Sequence, residues 1–247
     1  MTSIQEIYEM LAGLAPVELA QSWDNPGLLV QAGEATDRVL VTLDITHSVV
    51  EEAKRLGCGL IVSHHPVIFD GLKRLDRRDV AFALVQAGIS AICMHTNLDA
   101  AAGGVNEVLA GLLGIRDMQP FADGCGRVGE IDPIGTADLA ARAKQVLGGP
   151  VKYADAGKPV RRLAVISGAG GSMFEDALAA GADCLLTGEA SHHAALDAPR
   201  LGLSLIAGTH YTTERPVVAA VADRLRAAFP ALDVRCSAAD RDPFTYI

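Results

Sequence analysis

A pattern of strands and helices occurs twice in this chain. Three apolar runs of the first half, each preceded by a turn or a helix end, have counterparts at similar spacing in the second half. The matched pairs are 38–43 with 162–167, 57–65 with 181–189, and 88–96 with 202–210. Strands separated by helical segments of about ten residues form parallel βαβ units. The sequence therefore predicts two related α/β lobes, and the alternative is a chance likeness between ordinary βαβ units.

The composition agrees with such a fold. Half of the 247 residues are hydrophobic but only 4% are aromatic, so the core must be built from Val, Leu, Ile and Ala. That usage is expected of helices packed on a parallel-rich sheet. We predict an α/β protein with an internal pseudo-duplication, in which each lobe is a parallel-rich or mixed sheet flanked by helices. The expected lobes are 1–125 and 126–247, with the C-terminal helix packing back on the first.

Charge and cysteine usage bear on partners and compartment. The net charge is −9 and no block of Lys and Arg is present, so the chain lacks the signature of a nucleic-acid-binding module. The five cysteines are scattered and never form a CxxC pair, which favours a reducing compartment. The N-terminus has no secretory leader pattern, and no apolar run is long enough to span a bilayer. We expect a cytoplasmic protein without a membrane partner.

Histidines and carboxylates collect where the apolar runs end. His64 and His65 follow one run directly, and Asp99 lies shortly after the next. His210 and Glu214 follow the last run and are four residues apart, so they share one face of a helix. Strand ends are where open α/β folds carry their chemistry, and these side chains are common ligands of divalent metals. Alone, each motif has an ordinary alternative as loop histidines or as an exposed polar pair on a helix.

The five residues together predict a centre with two metal ions. A catalytic zinc keeps about three protein ligands, so five are too many for one ion. Two ions about 3.5–4 Å apart, bridged by Glu214, would use all five. One arrangement places His65 and Asp99 on the first ion and His64 and His210 on the second. Mixed nitrogen and oxygen ligands admit zinc, iron, manganese, cobalt or nickel.

Five motifs occur in order between residues 20 and 215. They are Ser22-Trp23-Asp24-Asn25-x-Gly27, Ser63-His64-His65-Pro66, His95-Thr96-Asn97-x-Asp99, Gly188-Glu189-x-Ser191-His192-His193 and Gly208-x-His210-x-x-x-Glu214. With this combination the chain resembles the NIF-three-like dinuclear-metal-centre proteins, which are also called GTP cyclohydrolase I type 2 homologues. The resemblance implies the same five ligands, two divalent ions per subunit, and a homohexameric ring with the metal centres facing a cavity. Pro26 departs from the residue expected at that position.

Further site residues accompany the resemblance. We predict that His95 orients Asp99 or a water molecule, since metal ligands need such support. His95, His192 and His193 are the candidate catalytic residues for proton transfer, and Asn25 and Glu189 are the candidate substrate contacts. The alternative for His192 and His193 is capping of a helix. Likewise, the glycine-rich segment 168–171 is a candidate phosphate cradle, with a tight helix entry as the alternative.

The function that these residues predict is a dinuclear metal-dependent hydrolase. Bound ions would lower the pKa of water towards neutrality, and a neighbouring histidine would move protons. The family name points to GTP, with opening of the guanine imidazole ring and release of formate, but another nucleotide or phosphoester would suit the same centre. The alternative is a non-catalytic metal-binding protein with a regulatory, chaperone or scaffold role.

Overall fold

The computed structural model describes residues 1–247, which form two compact units. The first unit comprises Met1–Ala102 and Val217–Arg241, and the second comprises Gly103–Pro216 and Asp242–Ile247. The expected boundary at residue 125 therefore differs from the boundary of the structure. The segment between residues 103 and 125 contains a strand that pairs within the second sheet, and the C-terminal helix and strand belong to the first unit.

Thirteen strands form three sheets. The strands are β1 (Thr2–Ser3), β2 (Gly27–Val30), β3 (Ala35–Thr36), β4 (Arg38–Thr42), β5 (Leu60–Ser63), β6 (Ser90–Cys93), β7 (Arg116–Phe121), β8 (Gly126–Ile134), β9 (Lys152–Ala154), β10 (Val160–Ile166), β11 (Cys184–Thr187), β12 (Ser204–Ala207) and β13 (Asp233–Cys236). β5, β6, β11 and β12 are buried at every position. Such continuous burial is typical of parallel strands that are covered on both faces.

Ten α-helices accompany the strands. They are α1 (Ile4–Leu14), α2 (His47–Leu56), α3 (Val80–Ala87), α4 (Thr96–Ala100), α5 (Val105–Leu112), α6 (Thr136–Leu147), α7 (Phe174–Ala179), α8 (His192–Arg200), α9 (His210–Glu214) and α10 (Pro216–Ala228). Short 3-10 helices lie at Val17–Leu19 and Gly170–Met173. None of the helices combines the length and the apolar character that crossing a membrane requires.

The main sheet of the first unit has the strand order β13-β4-β5-β6-β2. β13, β4, β5 and β6 are parallel, and β2 is antiparallel to β6. The register pairs Thr42 with Ser63 and Ser63 with Cys93, so β4, β5 and β6 end at the same level. A core that includes Leu40, Val49 and Ile61 packs between this sheet and its helices. The side chains that follow these three strands are consequently brought to one edge of the sheet.

The sheet of the second unit has the order β7-β8-β10-β11-β12-β9. Its three central strands, β10, β11 and β12, are parallel, whereas β8 and β9 run antiparallel to their neighbours β10 and β12. Both sheets thus contain three successive parallel strands joined through helices, with an antiparallel strand beside the third. The predicted α/β class, with sheets flanked by helices, is confirmed.

Candidate metal centre

Three histidines meet at the carboxyl edge of the first unit's sheet. His64 and His65 follow β5, and His95 follows β6 after a single intervening residue. The ring centroids are 4.9 Å apart for His64 and His65, 5.3 Å for His64 and His95, and 5.6 Å for His65 and His95. One ring nitrogen from each residue lies within 4.8 Å of the others, so the group is able to hold a metal ion.

Each of these imidazoles is held at Nδ1 by an oxygen atom. Nδ1 of His64 donates to the backbone carbonyl of Met94 at 2.9 Å, since a carbonyl oxygen can only accept. Nδ1 of His65 donates to Oδ1 of Asp44 at 2.7 Å, and Nδ1 of His95 donates to Oδ1 of Asp24 at 2.7 Å. In metal sites a ligating histidine donates its other ring N–H in this way, which selects Nε2 as the ligand atom.

Asp24 is the most firmly held of the supporting groups. Its side chain is fully buried and accepts hydrogen bonds from Nδ1 of His95 and from the backbone N–H and hydroxyl of Thr96. Burial raises the pKa of Asp24, but the hydrogen bonds from Thr96 and His95 outweigh it and hold the pKa below its ordinary value. Asp24 therefore remains a carboxylate at neutral pH. By accepting the N–H of Nδ1, it makes Nε2 of His95 a stronger base and a better metal ligand.

Asp99 completes the group in the first unit. It lies in α4, and its Oδ1 is 3.8 Å from Nε2 of His64, whose side chain is almost completely buried. Two ligands bonded to one ion at about 2.1 Å are roughly 3.0–3.4 Å apart at ordinary coordination angles. The separation of His64 and Asp99 is only slightly wider than this. The donor types and spacing fit a divalent ion.

The second unit presents His210 and Glu214 from one short helix. Thr209 caps α9 by accepting a hydrogen bond from the backbone N–H of Thr212, so the helix begins at His210. Nε2 of His210 lies 3.1 Å from Oε2 of Glu214, within the range expected for two ligands of one ion. Nδ1 of His210 donates to Oε1 of Glu189 at 2.9 Å. His210 thus has the same carboxylate support as His65 and His95.

A glycine makes room for this pair. Gly168 has a φ of 58°, and a Cβ atom at that position would lie 2.2 Å from Oε1 of Glu214 and 3.2 Å from Nε2 of His210. In the predicted cradle, a Cβ on Gly170 would collide with Ile166 and one on Gly171 with the carbonyl of Glu189. Segment 168–171 therefore packs against its own unit, and this supports the tight helix entry over a phosphate cradle.

The remaining predicted residues are placed as follows. Asn25 is partly buried, and its amide donates to the carbonyl of Ile68 at 2.6 Å. His192 and His193 are exposed in the first turn of α8, which Ser191 caps. Sequence reasoning assigned no supporting role to Asp24 or Asp44. Asp24 follows the only tryptophan in a turn-forming loop and Asp44 follows β4, but their histidine partners are 71 and 21 residues away along the chain.

Comparison with known proteins gives the family. The model of the family Duf34/NIF3 (NGG1p interacting factor 3) matches residues 2–243. The chain belongs to the Duf34/NIF3 family. This confirms the resemblance that the five motifs indicated.

Individual members of Duf34/NIF3 match over most of their length. A Helicobacter pylori protein named GTP cyclohydrolase 1 type 2 is 35% identical, and the match covers 91% of this chain and 92% of that protein. NGG1-interacting factor 3 of Saccharomyces cerevisiae is 33% identical over 79% of this chain and 80% of its own. The crystal structure of Staphylococcus aureus protein SA1388 has a TM-score of 0.90 and 28% identity, with coverage of 100% and 99%. The whole α/β fold is therefore shared with Duf34/NIF3 proteins.

Proposed function

We propose that the protein is a dinuclear metal-dependent hydrolase whose two divalent ions are bound by His64, His65, Asp99, His210 and Glu214. The observation that carries this proposal is the common support of the histidines. His64, His65 and His210 each donate from Nδ1 to an oxygen atom, so Nε2 is the ligating nitrogen in all three. A carboxylate oxygen lies 3.8 Å from Nε2 of His64 and 3.1 Å from Nε2 of His210.

The supporting carboxylates have a defined task in this proposal. Asp44 and Glu189 fix the ring orientation of His65 and His210, and their negative charge makes each imidazole a better ligand. A bound divalent ion supplies Lewis-acid activation of water and of the electrophilic group of the substrate. Glu214, 4% exposed, is the proposed bridging carboxylate.

His95 is the proposed proton carrier. Asp24 holds its Nδ1, and its ring lies 5.3 and 5.6 Å from those of His64 and His65, so Nε2 is the atom that accepts and returns a proton. Its ring is also near enough to the other two to join them around an ion. His192 and His193 remain candidates for proton transfer, and Asn25 and Glu189 for substrate contacts.

The names of the relatives indicate two directions for the substrate or partner. The Helicobacter pylori relative is named GTP cyclohydrolase 1 type 2, which supports a nucleotide substrate. The yeast relative is named as an interacting factor, which supports the alternative of a non-catalytic metal-binding regulator, chaperone or scaffold. We favour the hydrolase because open coordination by histidine and carboxylate is typical of catalytic metal sites. We also propose a cytoplasmic homohexamer.

Metal analysis and turnover test the proposal together. Purified wild-type protein should contain about two ions per chain by elemental analysis. With Glu214 shared between the ions, the five ligands provide three for each. Glu214→Ala should reduce this to about one or none, and hydrolysis of GTP, other nucleotides or phosphoesters should fall at least 100-fold, because a bridging ligand supports both ions.

Glu51→Ala is the matched control, because Glu51 is an exposed carboxylate that pairs only with Lys54 on α2. This variant should retain the metal and the activity of the wild type. An unchanged metal content in Glu214→Ala would refute the bridging role. A fully metallated wild-type protein that hydrolyses none of these compounds would refute the hydrolase and favour the scaffold.

A further inference from the structure

Three aromatic rings in the first unit form a small patch at the histidine cluster, by which we mean His64, His65 and His95. We call this patch the Trp23 platform and define it as Trp23, Phe69 and His95. The ring centroids of Trp23 and Phe69 are 5.8 Å apart, and that of His95 lies 6.0 Å from Trp23 and 6.3 Å from Phe69. His95 belongs to both the platform and the histidine cluster, so the two features are continuous.

The two large rings of the platform are exposed. Trp23 is the only tryptophan in the chain and has 57% of its surface exposed, and Phe69 has 47%. A buried aromatic side chain stabilises a fold through the large apolar area that it removes from water. At these two positions much of that area is left in contact with solvent. Their contribution to the stability of the fold is correspondingly small, which indicates that the two rings serve binding instead.

The backbone on both sides of the platform is nevertheless held firmly. The side chain of Asp24, directly after Trp23, is buried and bound by His95 and Thr96. The amide of Asn25 donates to the carbonyl of Ile68, which directly precedes Phe69, and thereby joins the two loops. Exposed rings on a fixed backbone are pre-organised to bind, because little further entropy is lost when a ligand docks.

The charge near the platform bears on the kind of ligand. The segment 70–79, directly after Phe69, carries the exposed cations Lys73, Arg74, Arg77 and Arg78 together with three aspartates, so its net charge is +1. The whole chain, by contrast, has a net charge of −9. A ligand with an anionic group would therefore meet less repulsion beside this segment than beside the rest of an acidic protein.

We propose that the Trp23 platform binds the planar heteroaromatic ring of a small anionic ligand, with Trp23 and Phe69 as stacking residues. The inference rests on the proposed function, because it names the part of the substrate that is held beside the histidines. A ring that stacks on Trp23 has its edge next to His95, and His64 and His65 follow at 5.3 and 5.6 Å from that imidazole. Every heteroaromatic ring has a π-face that can stack. Stacking therefore recognises the ring itself, and other contacts must recognise its substituents.

The single tryptophan makes the test direct. Trp23 is the only indole, so fluorescence excited at a tryptophan-selective wavelength reports on the platform alone. We expect GMP, AMP and CMP to quench this emission in the purified, metal-containing protein, and ribose 5-phosphate, which has the sugar and the phosphate but no aromatic ring, to leave it unchanged. Failure of all three nucleotides to quench would overturn the proposal.

Calorimetry on variants separates stacking from other binding. Trp23→Ala and Phe69→Ala should each weaken binding of the best nucleotide about tenfold, in line with the contribution of one stacked base. Leu75→Ala is the matched control, because Leu75 is an apolar residue of the segment that follows Phe69 and is 48% exposed but has no aromatic ring. It should bind as the wild type does. Equal affinity for the nucleotide in Trp23→Ala and wild type would overturn the stacking role.

Two further measurements keep the explanations apart. Nucleotides should still quench the emission of Glu214→Ala, because the platform does not contain Glu214. In the wild type, quenching by nucleotides without any hydrolysis would refute the proposed function while the proposed stacking on Trp23 would remain supported. Sedimentation of Trp23→Ala should match the wild type. A changed oligomeric state with unchanged nucleotide affinity would show that the platform is an interface between copies of the chain, and would overturn the proposal.

Discussion

Gly168 shows how closely single residues are fitted around the His210–Glu214 pair. An alanine there would place its Cβ 2.2 Å from Oε1 of Glu214. We predict that Gly168→Ala displaces this carboxylate and lowers the metal content measured by elemental analysis by about half or more, since overpacking of this size forces side chains from their positions.

Backbone strain alone must be separated from this collision. Gly148 also has a positive φ, 72°, and a Cβ there would meet no atom within 4 Å. Gly148→Ala therefore imposes a similar strain of about 1–2 kcal/mol without touching the site. It should keep its metal while losing comparable stability. Equal metal contents in the two variants would contradict the close fit.

The residues proposed as ligands were named from the sequence, whereas the carboxylates that hold their rings were not assigned this role. His64, His65, His210 and Glu214 stand directly after strands or on one helical turn, which the pattern of apolar runs reveals. Asp24 supports His95 across 71 residues, and such a pairing depends on tertiary structure. The local sequence therefore indicates which side chains follow a strand end, and the fold decides which carboxylate supports each imidazole.

At the level of elements, α2 holds the segment that follows β13. The carboxylate of Glu52 accepts hydrogen bonds from the hydroxyl of Ser237 and from the backbone N–H groups of Ala238 and Ala239. Burial raises the pKa of Glu52, but these hydrogen bonds outweigh it and hold the pKa below its ordinary value. One buried side chain thus fixes the C-terminal segment to a helix near the start of the chain.

The lowered pKa makes this contribution to stability dependent on pH. A carboxylate whose pKa is lower in the folded state stabilises the fold above the unfolded pKa of about 4.3, and the effect is lost as the pH falls through the folded value. We predict that Glu52→Gln lowers the free energy of unfolding at pH 7 by about 1–3 kcal/mol. The difference from wild type should shrink at low pH, as measured by urea denaturation.

Glu51→Gln provides the comparison on the same helix. Glu51 is exposed and pairs with Lys54, and such surface pairs contribute about 0–1 kcal/mol. Its effect should be small across the pH range. A difference between wild type and Glu52→Gln that stays constant from pH 7 down to pH 3 would contradict the role of the charged carboxylate.

Helix ends carry local sequence signals, whereas edge strands do not. Ser3 and Glu6 form a capping box at the start of α1, and Gly57, in the left-handed conformation, ends α2. By contrast, β13 and β7 were not anticipated. β13 alternates polar and apolar residues, and it forms because it pairs with β4. In this pairing Asp233 lies opposite Arg38, which is 195 residues earlier in the chain. Edge strands of this kind are defined by their partner.

For the whole chain, the division into units depends on pairing that a linear reading does not show. The predicted boundary at residue 125 falls in the turn between β7 and β8, where Ala122 and Asp123 have positive φ values. These strands are antiparallel neighbours, with Phe121 paired with Gly126. A boundary that looks like a glycine-rich linker in the sequence is therefore the tip of a hairpin.

Fragments of the chain test this division. We predict that residues 103–216 fold when expressed alone, because they contain every strand of the second sheet and the core around Leu139, Leu163 and Leu186. Residues 126–216 should fold poorly, because they lack β7 and the buried side chains of α5, among them Leu109. Circular dichroism and the dispersion of amide NMR signals would measure the folding of both fragments.

Residues 1–102 are the corresponding test of the first unit. This fragment lacks β13 and the apolar face of α10, so it should remain unfolded. A cooperative unfolding transition in fragment 126–216 as strong as that in 103–216 would show that the division lies at residue 125 after all.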